Sequence, residues 1–271
     1  MVAEWTMDAD GHLVAVMDGA AFRIVAEAGG GRTAFEVQHG SAYGFNAVSS
    51  RFDGLEAAKS EAADFAAHLA QKAALGRRNA PGMEGGHSPW GRIQNAEAYG
   101  EGVTCVGTAG HGGFKLDGRR NREMPDALRS PGGWYEEDSE WARVALGLPA
   151  LFTDRERRQA ADTLRNWDPD AYEARFGAEI PPGASHAKDR KAFEAAHAGD
   201  LVAVSASMSR SSPGMVEVLA TVGGHRDRGG AARTFLVERE EYRAARPFGF
   251  VVDPGRHAET GVTASPALGP R

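Results

Sequence analysis

Cysteine is nearly absent from this chain: Cys105 stands alone among 271 residues. One thiol excludes an intramolecular disulfide and the stapled secreted scaffolds that depend on them, so a reducing, cytoplasmic setting is expected. Cys105 lies in the apolar run Val103-Thr104-Cys105-Val106 and reads as a small buried hydrophobe rather than a catalytic thiol. Long apolar runs are missing too. None approaches the ~20 residues a membrane helix needs, and Met1-Val2-Ala3-Glu4-Trp5 lacks the basic and apolar regions of a signal peptide. Positive charge is in deficit, 31 Lys and Arg against 37 Asp and Glu for a net −6, which argues against binding by phosphate neutralisation. The short basic runs Arg119-Arg120-Asn121-Arg122 and Arg155-Glu156-Arg157-Arg158 read as solvated faces.

Several signatures of known chemistry are also lacking. No His-x-x-x-His or cysteine pair occurs, so no metal is expected and no cofactor is assigned. The nearest match to a Gly-x-Ser-x-Gly nucleophile elbow, Gly86-His87-Ser88-Pro89-Trp90-Gly91, has one residue too many. A phosphate loop fails because Leu116 follows Lys115 where Ser or Thr would hold magnesium. Gly107-x-x-Gly110-x-Gly112 has the wrong order for a dinucleotide fingerprint.

Glycine, by contrast, is abundant at 35 residues, so many turns are expected. The chain reads as α+β: a small N-terminal antiparallel β-meander plus helix, then a larger mixed domain ending in a β-hairpin sheet. Residues 1–75 form the first unit, with strands at Trp5–Met7, Leu13–Met17, Phe22–Ala26 and Thr33–Gln38. Asp8-Ala9-Asp10-Gly11, Asp18-Gly19 and Gly29-Gly30-Gly31 are the turns between them. Leu55, Ala58, Ala62, Phe65, Leu69 and Ala73 then make one apolar helical stripe, capped by Asp53 with Glu56 and ended by Gly76.

Residues 76–88, with almost nothing to bury, read as a linker to a domain at 89–257. There a strand at Gly102–Gly107 is expected, and then a helix over Trp134–Leu146 that puts Trp134, Glu137, Trp141 and Val144 on one face. Thr153 with Glu156 makes a capping box for a second helix to about Trp167. Asp168-Pro169 opens a third helix, ended by Gly177, and Ser185 caps a fourth that stops near Gly199. Leu201–Met208 and Met215–Val222 should pair as a hairpin, with Val202, Val204, Ala206 and Met208 on one face. Strands at Arg233–Val237 and Phe248–Val252 flank a short helix around Glu238–Ala244, and 258–271 reads as a disordered tail.

The most informative stretch is Thr108–Trp141. Gly110-His111-Gly112-Gly113 sets a histidine among glycines, and Trp134-Tyr135-Glu136-Glu137-Asp138 sets carboxylates beside aromatic rings. Histidine titrates near neutrality, and a carboxylate sharing a buried face with tryptophan needs a partner. The catalytic candidates are therefore His111, Glu137, Glu136 and Asp138. His111 would be the general acid or base, oriented by Glu137 with Glu136 or Asp138 near it. Gly110, Gly112 and Gly113 would offer backbone amides, while Lys115, Trp90, Trp134 and Tyr135 would complete the ligand-binding set. The competing reading is structural: a tight turn, a helix start favoured by acidic residues, and tryptophans that pack as core. His225, in Gly223-Gly224-His225-Arg226-Asp227-Arg228, reads as an exposed hairpin loop.

The order Ser88-Pro89-Trp90-Gly91, Thr108-Ala109-Gly110-His111-Gly112-Gly113-Phe114-Lys115-Leu116, Met124-Pro125 and Gly133-Trp134-Tyr135-Glu136-Glu137-Asp138-x-x-Trp141-Ala142 resembles an uncharacterised bacterial family. Its members are met on plasmids, phages and other mobile elements, as a domain of unknown function. The resemblance spans Ser88 to about His257 and implies, by association alone, a host–element conflict or transfer role. Two functions follow as expectations. One is an accessory protein that binds a host or element macromolecule, a protein rather than a nucleic acid, in anti-defence or antirestriction. The other is a small enzyme with a proton-transfer or hydrolytic site at His111 and the three carboxylates.

Overall fold

The computed structural model describes residues 3–29, 32–41, 44–48, 51–225, 231–244 and 247–263. The architecture is α+β, as the sequence indicates, in two compact units, Met1–Glu179 and Ile180–Arg271.

The first unit opens with an antiparallel sheet in simple meander order: β1 (Thr6–Met7), β2 (Leu13–Met17), β3 (Ala20–Gly29), β4 (Arg32–Ser41) and β5 (Gly44–Ala47). β5 has no counterpart in the sequence reading, and Gly30 and Gly31 of the expected glycine turn lie outside the described residues. Phe22, Ile24 and Val37 bury one face of this sheet against Ala58, Ala62 and Ala66 of α1 (Leu55–Ala74). Small residues on α1 let helix and sheet approach closely. Its N-cap is Gly54, with no side-chain cap, rather than Asp53.

The stretch read as a linker, 76–88, is built into structure. β6 (Arg78–Asn79) joins a second sheet, and β7 (His87–Ser88) pairs with β8 (Gly91–Arg92). The second sheet runs β12-β11-β10-β9-β6, from β9 (Asn95–Gly100), β10 (Val103–Gly107), β11 (Gly112–Leu116) and β12 (Trp134–Glu136). The short α2 (Gly118–Glu123) carries the chain from β11 towards β12. One face of the sheet supplies Val103, Phe114, Leu116 and Tyr135 to a core shared with α3 (Trp141–Gly147), α4 (Asp154–Trp167) and α5 (Pro169–Phe176). Cys105 packs against this core, and burial pushes its thiol up to about 11, so it is held as the thiol, as expected.

The helix expected over Trp134–Leu146 is corrected. Gly133 stands at φ +65°, and a Cβ there would lie 2.8 Å from the Leu116 carbonyl. The chain leaves that turn extended, and Tyr135 pairs with Phe114 and is wholly buried while Trp134 and Glu136 take the other face. Aromatic residues at period two suit a strand better than a helix. Helix begins only at Trp141, so Glu137 shares no helical face with Trp134, Trp141 and Val144.

α4 and α5 form as read. Thr153 and Glu156 make a reciprocal capping box, Asp168 caps α5 with Pro169 at its first turn, and Gly177 ends it in the left-handed conformation. α1 docks on this N-terminus. His68 Nδ1 lies 2.8 Å from Thr153 Oγ1, Gln71 exchanges two hydrogen bonds with Asp154, and Arg155 reaches Glu61 and Asp64. Arg77, its side chain 2% exposed, forks onto both Glu156 oxygens at 2.7 and 2.6 Å and lies over the Tyr99 ring. The segments 1–75 and 89–179 thus share one compact unit, joined by charged and polar side chains that the apolar pattern does not reveal.

In the second unit, Ser185 caps α6 (His186–Ala196). β13 (Leu201–Met208) and β14 (Met215–Val222) pair as the expected hairpin, extended by β15 (Ala232–Glu238). After α7 (Arg239–Arg243), β16 (Val251–Val252) adds to the β13 edge and β17 (Ala258–Thr263) to the β15 edge. A bulge between Ala203 and Ser205 breaks the alternation expected for β13. Leu201 and Ala203 pack on the core and Met208 is exposed. β17 likewise corrects the disordered tail over 258–263, because its backbone completes the open edge of β15; residues 264–271 lie outside the described residues. His225 is half-buried, and Arg226–Arg228 lie outside the described residues.

Candidate functional site

The site is built by the β10–β11 hairpin. Gly107 pairs with Gly112, leaving Thr108–His111 as the turn. The Thr108 hydroxyl donates to the His111 carbonyl at 2.6 Å, and the Thr108 amide donates to the same carbonyl at 2.9 Å. The Gly110 and His111 amides turn back to Thr108 Oγ1 at 3.4 and 3.3 Å. This side-chain-locked turn engages the Gly110 amide, one of the expected backbone donors. It also projects the His111 imidazole outwards, 62% exposed.

β12 brings the carboxylates. Gly113 pairs with Glu136, and the Glu137 amide donates to the Gly112 carbonyl at 3.1 Å. Glu136 Oε2 accepts the Asp138 amide at 2.7 Å, which fixes the carboxylate. Its Oε1 is shielded from solvent, has no hydrogen-bond partner, and lies 4.0 Å from His111 Nδ1. Glu137 reaches over Gly112, where an added Cβ would fall 2.4 Å from Glu137 Oε2 and 2.7 Å from the Val106 carbonyl. His111, Glu136 and Glu137 together offer one donor atom each, all within 4.8 Å of one another. Two carboxylates at that separation repel, and a positive charge between them offsets the repulsion.

The remaining candidates have other duties. Asp138 contributes its amide to Glu136, while its side chain is exposed and outside the cluster. Gly113 is a close-approach glycine: at φ +155° its Cβ would meet the Tyr135 carbonyl at 2.1 Å and the Trp90 ring at 2.5 Å. Trp90 and Trp134 meet edge-to-face at 5.6 Å and pack on Ile93, Ala96 and Val106. Lys115 donates to the Gly132 carbonyl at 3.0 Å and lies over the Trp134 ring. Tyr135 donates its hydroxyl to Asn121 at 2.7 Å and accepts from the Ser130 amide, and burial holds its hydroxyl above the usual range. Gly110 is open, with nothing near its would-be Cβ.

Residues 83–198 match a family described as a domain of unknown function (DUF7007), less than half of the 271 residues. The match contains the whole cluster and ends within the second unit, short of the C-terminal hairpin that the sequence resemblance had included. No curated protein and no solved structure matches the chain.

Proposed function

We propose that the protein is a small enzyme that moves a proton at the β10–β11 corner. His111 is the general acid or base and Glu136 the carboxylate that orients it. The observation that carries this is the buried, unpartnered Glu136 Oε1 facing His111 Nδ1 at 4.0 Å. A carboxylate on Nδ1 selects the tautomer that leaves Nε2 free to take a proton from a ligand arriving from solvent. The gap is about 1 Å longer than a formed hydrogen bond, the looseness usual before a ligand tightens such a pair. Hydrolysis suits the open position of the imidazole, because water is at hand. The accessory reading, binding of a host or mobile-element macromolecule, draws on the net charge, the incomplete catalytic signatures and the family resemblance. It stands second because those grounds single out no residue, whereas the clustered donors single out His111, Glu136 and Glu137.

The test is a panel of chromogenic carboxylic and phosphoric esters offered to the wild-type chain, His111→Ala and Glu136→Gln, with circular dichroism to confirm folding. His111→Ala is expected to lower turnover by ~10²-fold or more, and Glu136→Gln by less. Equal rates in wild type and His111→Ala across the panel would overturn the reading.

A further inference from the structure

We propose that this corner also binds one divalent cation of the manganese or zinc kind, with His111 Nδ1, Glu136 Oε1 and a Glu137 carboxylate oxygen as its protein ligands. The inference rests on reading the corner as the functional site and adds what the site takes up. Neighbouring ligands on an ion with bonds of about 2.0–2.2 Å sit roughly 3 Å apart. One donor atom from each of the three residues already lies within 4.8 Å of the others, with His111 Nδ1 and Glu136 Oε1 at 4.0 Å, so closure needs movements of an ångström or two. The pieces that must move are the ones free to do so: His111 and Glu137 are exposed. Glu136 is the fixed ligand, its Oε2 tied to the Asp138 amide and its Oε1 already stripped of water without a partner. A shielded carboxylate oxygen of that kind is costly to leave bare, and a cation would satisfy it.

The donor set narrows the ion. One imidazole and two carboxylates suit first-row divalent ions between the oxygen-loving and nitrogen-loving extremes, and two negative charges match a dication. Three protein ligands on a solvent-facing corner leave open positions for water, the arrangement of catalytic rather than structural sites. With the ion bound, His111 is a ligand, and an ion-bound water whose proton is loosened takes over the proton-transfer role. Sequence spacing could not show this. His111 stands 25 residues before Glu136 in the chain, and strand pairing alone brings them together.

The experiment titrates the full chain with Mn²⁺, following free ion by electron paramagnetic resonance and stability by thermal melting. One ion per chain is expected, with a rise in Tm, and each of His111→Ala, Glu136→Gln and Glu137→Gln should weaken binding by at least ~10-fold. Glu84→Gln, an exposed carboxylate outside the cluster, should bind as wild type. Binding that none of the three substitutions weakens, or none at millimolar Mn²⁺, would overturn the proposal. The two readings fail separately. Ester turnover lost in His111→Ala but indifferent to chelator keeps the acid–base site and removes the cation. Mn²⁺ bound through His111 with turnover unchanged in His111→Ala keeps the cation and removes the catalytic role.

Discussion

Gly113 shows how tightly the corner is made. Its missing side chain is where the Trp90 ring and the Tyr135 carbonyl sit, and its φ of +155° disfavours any L side chain. Gly113→Ala is expected to cost at least ~3 kcal/mol, read as a lowered urea midpoint, because both backbone strain and overpacking oppose it. Gly110, by contrast, has open space beyond its Cα. The glycines of the sequence motif therefore differ in kind: Gly113 admits a ring, Gly112 admits a carboxylate, and Gly110 lies in the side-chain-locked turn. That difference depends on neighbours distant in the chain, so composition could flag the motif without assigning its parts.

At the scale of elements, the capping residues carry the clearest local information. Thr153 accepts the Glu156 amide at 3.2 Å, which leaves its hydroxyl proton free to donate to His68 Nδ1. Thr153→Ala is expected to lower stability by about 1–2 kcal/mol, the upper end of a lost cap because His68 loses its partner as well. Thermal or urea unfolding would measure it. α4, α5 and the β13–β14 hairpin were legible because caps, a proline at the first turn and a turn sequence act within a few residues. β12 was not, because the Trp134–Val144 spacing fits a helical face as well as a strand followed by a helix. Pairing with β11 decided it, and that pairing arises from sequence about 20 residues away. His111 and Glu136 were both legible as titratable candidates. Their approach was not, because it depends on Trp134–Glu136 being a strand; Glu137, expected to orient His111, lies in the same cluster.

Within the first unit, acid loosens the joint between α1 and α4. Burial holds His68 below its ordinary value near 6.5, so the unfolded chain takes up a proton before the folded one does, and stability falls as pH drops below about 6.5. Burial raises Glu156, but the Arg77 and Thr153 hydrogen bonds outweigh it and hold the carboxyl below its ordinary 4.5. Its contribution is therefore complete above that value and lost as pH falls through the lower, folded one. Urea midpoints from pH 8 to 3 should show two descending limbs, with His68→Gln flattening the upper and keeping the lower. A single limb confined to pH below about 4.5 in the wild type would contradict the His68 assignment.

The same joint bears on how the protein can be cut for expression. The family match begins at residue 83, beyond α1 and beyond Arg77. A fragment started there keeps every donor of the His111 corner but loses His68, Gln71, Arg77 and the carboxylates that hold Arg155. Glu156 would be left as an unmatched anion beside the bared rings of Tyr99 and Phe152, a surface that invites aggregation. The boundary for a useful truncation lies before α1, even though the homology begins after it.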